Sequence, residues 1–333
     1  MIDRPFLSAP GAGIGRSGRV ALWVRARGLS VLPVLTVVAA LLALWYLACI
    51  PMNAAQSVTD AARADIAVTP DSARDRRSMS GLALALANPG VAARSAFTQA
   101  RPRLPAPHQV ARELWATTAL VSPTSNRSLI HHAWVTLSAT LLGFVIGTGL
   151  GIVLATGIVH SRVMDLSVMP WAIVSQTVPI IAIAPMIIVV LYSIGIEGIL
   201  PKAVISAYLS FFPAVVGMVK GLRSPDRMQL DLLRTYAASG AATFLKLRLP
   251  ASLPYLFASL KIGIAASLVG AIVGELPTGA VAGLGARLLA GSYYGQTVQI
   301  WAALVAAAIL AALAVGAIGV IERITLSRLG LRL

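Results

Sequence analysis

Four histidines, His108, His131, His132 and His160, and one cysteine, Cys49, are the side chains of this 333-residue chain best suited to hold a metal. Their spacing argues against it. His131 and His132 are adjacent, so one helix face cannot offer both rings to one ion as an i, i+4 pair does. A single cysteine excludes an intrachain disulfide and a cysteine-rich metal site. Cys49 lies in an apolar run and reads as a small packing residue. No Gly-Lys pair occurs, so the chain has no P-loop and any ATP chemistry must come from another chain. The remaining candidates are polar residues stranded in apolar sequence. Lys261 and Glu275 are ionisable groups where the cost of burial in lipid makes a functional role the default hypothesis. Ser175, Gln176 and Thr177 stand just before Pro179. A proline frees backbone groups that need new partners, so this triplet either satisfies that backbone or lines a path. The expectation is a non-enzyme that itself binds no cofactor and no metal.

Those residues must be positioned by helices in a bilayer. The chain is 57% hydrophobic and only 12% charged, against about 25% charged in soluble domains. Its net charge of +15 would suggest nucleic acid in a soluble protein. Here the basic residues sit at the ends of apolar runs, which points to a membrane and excludes a nucleic-acid partner. A bilayer core needs about 20 apolar residues per crossing. Six stretches qualify: Val31 to Ile50, Trp134 to Val159, Leu166 to Ile194 (interrupted by Pro170, Pro179 and Pro185), Ile199 to Val219, Leu253 to Val273 and Ile300 to Ile321. The first has a flank too long and a run too long for a cleaved signal peptide, so it is expected to be a retained helix. With the N-terminus in the cytoplasm, the inside segments 1–30, 158–166, 220–250 and 322–333 hold 15 Arg and Lys, while the short outside segments 193–201 and 276–298 hold only Arg287. That asymmetry follows the positive-inside rule.

The expected organisation is a cytoplasmic tail over 1–30, a first transmembrane helix over 31–50, and a partly flexible periplasmic loop over 51–130 with a short helix from Val110 to Leu120. A transmembrane core over 131–321 and a cytoplasmic tail over 322–333 complete it. A self-sufficient secondary transporter is the rival class, and the lack of an internal repeat strong enough for an inverted-repeat carrier counts against it.

The cytoplasmic segment 220–250 is too amphipathic to span and too apolar for a plain loop. Leu230, Leu233, Ala237 and Ala238 fall on one face of a short helix broken near Ser239 and Gly240. A second short helix leads to Leu249-Pro250, where proline can open the next helix. Two short helices with a small-residue bend make either a docking surface for a protein or a pair resting on headgroups.

This segment resembles the EAA loop of binding-protein-dependent ABC importer permeases of the type I fold, of the nitrate/sulfonate/taurine group. The family pattern is Glu-Ala-Ala, three residues, Gly, nine residues, an aliphatic, one residue, Leu-Pro. Anchored on Leu249-Pro250, it puts the aliphatic at Leu247, the Gly at Ala237 and Glu-Ala-Ala at Asp231-Leu232-Leu233. The glycine is thus replaced, which leaves the bend to Gly240, and Glu becomes Asp. Other stretches resemble the same group in order. These are Leu142-Gly143-Phe144 with Gly147 and Gly151, Val178-Pro179-Ile180 through Ala184-Pro185, Phe211-Phe212-Pro213 through Asp226, and Leu260-Lys261-Ile262 through Gly274-Glu275. Departures are Ala139 for a frequent Arg, Gly217 for a frequent Asn and Lys261 for Arg. The resemblance covers roughly 105–325.

The resemblance implies an all-α integral membrane protein with about six transmembrane helices, set in the bacterial inner membrane. Its implied partners are an ABC ATPase subunit that uses ATP, a periplasmic or lipid-anchored substrate-binding protein, and a second permease subunit as a homodimer. Asp231 would pair with a basic residue of the ATPase, Ala237, Ser239 and Gly240 would form the bend, and Phe244 would be the apolar anchor ahead of Leu249-Pro250. Lys261 faces either the pore or a polar group on a neighbouring helix; Glu275 is too far along the same helix to bridge to it. The segment from Leu276 to Gly295 folds over the pore mouth, with Ser292, Tyr293 and Tyr294 either meeting the delivery protein or packing. The Gly143, Gly147 and Gly151 series is either a dimer seam or a seam within one subunit. Substrates left open are small oxyanions, sulfonates and nitrogen heterocycles such as pyrimidines, with Lys261 leaning toward an anion.

Overall fold

The computed structural model describes residues 16–330 except 278, with side chains from residue 32 onward. The side chains of the expected 1–30 tail lie outside the described residues. Every regular element among them is helical. The chain divides into two compact units, 1–107 and 108–333.

The first unit is built on α1 (Arg16–Arg63), a helix of 48 residues, about 72 Å long at 1.5 Å per residue. Leu32, Leu35, Val38, Leu41 and Leu44 are exposed around its shaft, as lipid-facing positions must be. The helix does not stop at Ile50 as expected but continues through Pro51 to Arg63. Residues 64–106 then fold back on its C-terminal part through α2 (Ala73–Ser78), α3 (Gly81–Ala87) and α4 (Pro89–Ser95). Asn53 explains the packing. It is fully buried, its amide donates to Ala96 O and Leu104 O at 2.9 Å, and its carbonyl accepts from Leu104 N–H. Asn88 closes the other end, accepting from Thr69 N–H at 2.8 Å and donating to Thr69 O. The expected flexible loop is therefore a folded helical layer over this stretch. Its core of Ala54, Leu84, Ala85 and Ala92 is too alanine-rich to show as a hydrophobic period.

The second unit holds all of α5 (Pro107–Ala119) but its first residue and centres on three packed helices, α6 (Leu129–His160), α9 (Ile199–Leu222) and α12 (Leu249–Glu275). Glycines bring them close. A Cβ added at Gly143, Gly147 or Gly151 would fall within 3 Å of α9 atoms, so this small-residue series is a seam inside one subunit. Gly217, the position where Asn was expected, lies under Ser259 of α12, whose Cβ would be 2.5 Å from an added one. Buried hydroxyls tie the same seam: Ser206 Oγ lies 2.6 Å from Ser267 Oγ, and Ser267 Oγ donates to Thr140 O at 2.9 Å.

Between α6 and α9 the expected third crossing is not one rod. It is α7 (Arg162–Ser175) and α8 (Ile180–Ser193), bent by 100°. Pro179 has no N–H to continue the helix and biases Val178 to extended backbone. Beyond α9 come α10 (Arg227–Thr235), the single turn α11 (Gly240–Thr243) and a π-helical turn Phe244–Arg248 that runs on into α12. After α12, α13 (Leu284–Tyr293) and α14 (Thr297–Arg328) end the fold. Among the described residues, five helices are long and apolar enough to cross a membrane, or six if the bent pair makes one crossing.

Candidate functional site

The α9–α12 connection is built locally. α10 starts at Asp226, whose N–H donates to Gln229 Oε1 at 3.3 Å, a side chain closing the first turn. Its end is a left-handed stop. Ala237 has φ +50°, Ala238 N–H donates to Leu233 O at 3.0 Å, and Ala237 N–H donates to Arg234 O at 2.9 Å. This is the Schellman arrangement, which favours glycine at the left-handed position. The bend therefore sits at Ala237, where the family pattern has its glycine, and not at Gly240. Ser239 caps the next turn by accepting from Ala242 N–H at 3.2 Å, which makes Gly240 an ordinary first helical residue. Pro250 stands in the first turn of α12, as expected, and the helix before it runs on into α12. The proline lacks the N–H that would bond Lys246 O, and the turn before it widens to π geometry, with Leu249 N–H on Phe244 O.

The faces of this loop differ from the expectation. Leu230, Leu233 and Ala238 are half-buried against the bundle. Met228, Leu232 and Tyr236, at i, i+4 and i+8, are 77%, 56% and 76% exposed and form an unpartnered apolar stripe along α10. Phe244 is not outward-facing. It is half-buried against the α6–α9–α12 core, with its ring edge-on to His160 at 5.2 Å between centroids. Asp231 is exposed and pairs with Arg234 of its own helix at 3.1 Å. Arg223 at the end of α9 bonds Asp165 in the first turn of α7 at 2.9 Å, so the broken crossing is anchored beside this loop. The i, i+4, i+8 spacing was visible in the sequence, but Leu230 and Leu233 obscured which face was free.

The candidate path residues separate. Ser175 Oγ donates to Ala172 O and Thr177 Oγ1 to Val174 O, each at 2.8 Å, so both hydroxyls serve the backbone around the break. Tyr208 of α9 donates to Ser175 O. Gln176 and Thr177 are exposed in the 100° elbow. Lys261 forms an ion pair with Glu322 of α14, a residue that composition alone did not single out. Of the two expected placements of Lys261, this contact is the one to a polar group on a neighbouring helix. Glu275 is fully buried. Its carboxylate accepts from Thr136 Oγ1 at 2.8 Å and from Gly285 N–H at 2.7 Å. Thr136 Oγ1 in turn accepts from Leu284 N–H, and His132 Nδ1 accepts from Gly283 N–H. The first turn of α13 is thus held by a carboxylate at its positive end. In this conformation Glu275 fastens the start of α13, and of the adjacent His131 and His132 it is His132 that helps to hold it. Val281, Tyr293 and Tyr294 remain exposed on the segment that Glu275 holds.

The segment that holds the broken crossing, the α9–α12 connection and most of the bundle falls within a known family. A family model described as "Binding-protein-dependent transport system inner membrane component" matches residues 147–326. The chain belongs to this permease family. Three relatives illustrate the range. A probable ABC transporter permease protein of Haemophilus influenzae is 32% identical over 60% of this chain and 76% of its own length. The riboflavin transport system permease protein RibX of Chloroflexus aurantiacus is 31% identical over 66% of this chain and 78% of its own. The formylaminopyrimidine transport permease protein ThiX of Halalkalibacterium halodurans is 33% identical over 46% of this chain and 60% of its own. This permease is therefore a multi-pass membrane transport component of the type I fold and no enzyme. The matched region begins inside α6, so all of the N-terminal unit lies outside it.

Proposed function

We propose that this permease forms the translocation path of an ATP-driven importer in the bacterial inner membrane. Its N-terminus is cytoplasmic, and it works with a separate ABC ATPase chain, a substrate-binding protein and a second copy of itself. It binds no cofactor, and ATP is used by the partner. The observation that carries this reading is the exposed stripe Met228, Leu232 and Tyr236 on a helix terminated at Ala237. An apolar helix face at the end of a membrane bundle fits a groove on a partner. Asp231 adds a rim charge of little energetic weight.

The substrate class favoured is a small nitrogen heterocycle. RibX and ThiX are named for riboflavin and a formylaminopyrimidine, and Lys261 is already paired. A small oxyanion is the second reading. It rests on relatives named for aliphatic sulfonates (Bacillus subtilis, 25% identical) and nitrate (Leptolyngbya laminosa, 26% identical).

The test is to tag the C-terminus, purify the chain from its host in mild detergent and identify what accompanies it by mass spectrometry. An ATPase with a P-loop at near-equal amount supports the importer. A chain that comes alone from several mild detergents, and transports in liposomes without ATP, replaces it with a secondary carrier. A co-purifying binding protein is then screened with riboflavin, pyrimidines, taurine and nitrate to decide between the two substrate classes.

A further inference from the structure

The N-terminal unit carries a basic concavity that the transport reading leaves unused. A cleft of about 550 Å³ lies between the C-terminal part of α1 and α2–α3. Arg63, Arg76, Arg77 and Arg103 line it, against one acid, Asp60. All of its walls come from residues 55–103, inside one unit.

The walls are held by packing. Gly81 starts α3 so close to Pro51 O of α1 that an added Cβ would overlap it, and Leu84 and Ala85 are buried on Ala54. The cations are not mutually relieved. Asp60 is 3.6 Å from Arg63, and among the described residues Arg77 and Arg103 have no carboxylate partner. Arg76 is half-buried and fixed, its Nη1 donating to Pro70 O at 3.1 Å and Asp71 O at 2.7 Å. A guanidinium has five N–H donors, so a pinned Arg76 still offers a preorganised fork. Guanidinium forks match the planar edges of oxyanions, and the half-buried Arg76 with the exposed Arg63, Arg77 and Arg103 around it gives one concavity an excess of positive charge that attracts a counter-charge. The volume lies within the range of small-molecule sites, about 300–1,000 Å³.

We propose that this cleft binds a phosphate-, sulfate- or sulfonate-type oxyanion, either free in solution or carried on a lipid headgroup. The second source is within reach because Ala55, at one edge of the cleft, is only about 7 Å of helix beyond the apolar run ending at Ile50. The site is independent of the transport reading, since it should fill in the resting chain with no ATPase present.

The experiment uses the full chain in phosphatidylcholine nanodiscs at low salt and measures saturation binding of radiolabelled inorganic sulfate. Saturable binding that weakens with salt is expected. Arg77→Gln and Arg103→Gln should each weaken it about tenfold, the loss of one charge-assisted contact. Arg76→Gln should do the same if its thermal unfolding is unchanged. If Arg76→Gln unfolds, the first two carry the test, since no carboxylate in the described structure depends on them. Arg74→Gln, exposed on the same helix but outside the cleft, should bind like the parent. A second set of discs contains phosphatidylglycerol. Loss of sulfate binding there, restored by high sulfate, assigns the site to a headgroup; retention assigns it to a free anion. No saturable sulfate binding in phosphatidylcholine overturns the proposal, as does an equal loss in Arg74→Gln, which would mean only diffuse positive charge.

Discussion

Thr136 of α6 donates its hydroxyl hydrogen to the carboxylate of Glu275 across 2.8 Å, 139 residues later in the chain. The same hydroxyl oxygen accepts Leu284 N–H at 2.8 Å. One side chain thus joins two membrane helices to the start of α13. Thr136→Val keeps the shape and removes both bonds. It leaves buried groups unsatisfied at about 1–3 kcal/mol each, so a clear drop in detergent Tm is expected. Thr136→Ser should retain most of the stability. An unchanged Tm in Thr136→Val would mean the clasp contributes nothing to holding α13.

Ala237 occupies a backbone region that costs a residue with a Cβ about 1–2 kcal/mol. Ala237→Gly removes that cost and should stabilise the α10 terminus by about 1 kcal/mol, offset in part by added freedom of the unfolded chain. Ala237→Val should do the opposite. Limited proteolysis within 227–243 reads the difference, and faster cleavage of the glycine variant would count against the left-handed stop.

Lys261 and Glu322 hold α12 to α14. Glu322 is only 7% exposed, so Lys261→Met alone strands a carboxylate. Glu322→Gln alone leaves a lysine that is more open. The double variant should recover much of the loss, with a coupling of about 1 kcal/mol or more in a double-mutant cycle of thermal stability. Additive single effects would show that the two side chains do not depend on each other.

The two aromatic positions of the α9–α12 connection should behave differently. Tyr236→Asp and Leu232→Asp leave the isolated permease as stable as before, because both side chains are exposed, yet should abolish ATPase co-purification and uptake. Phe244→Asp faces His160 and the core, so it should lower the Tm of the permease itself. Gly240→Pro should be tolerated far better than Ala237→Pro, since the first helical position accepts proline. If Tyr236→Asp retains normal ATPase recovery and uptake, the docking stripe is misplaced.

Sequence alone determined the class. Long uncharged runs with basic residues at their ends and the Leu-Pro-anchored loop spacing are one-dimensional signals, and lipid demands the first of them residue by residue. Only the tertiary structure decided which face of α10 is free, since Leu230 and Leu232 are equally apolar and the bundle covers just one of them. Only it paired Lys261 with Glu322, 61 positions apart, and Glu275 with Thr136, 139 apart, because partners so distant are chosen by helix packing and not by spacing. The bend stayed at Ala237 despite the missing glycine because the closing hydrogen bonds from Ala237 and Ala238 outweigh a modest backbone cost. The folded layer on α1 was invisible for a related reason: it is fastened by Asn53 and Asn88 on an alanine core, and buried amide networks leave no periodic trace.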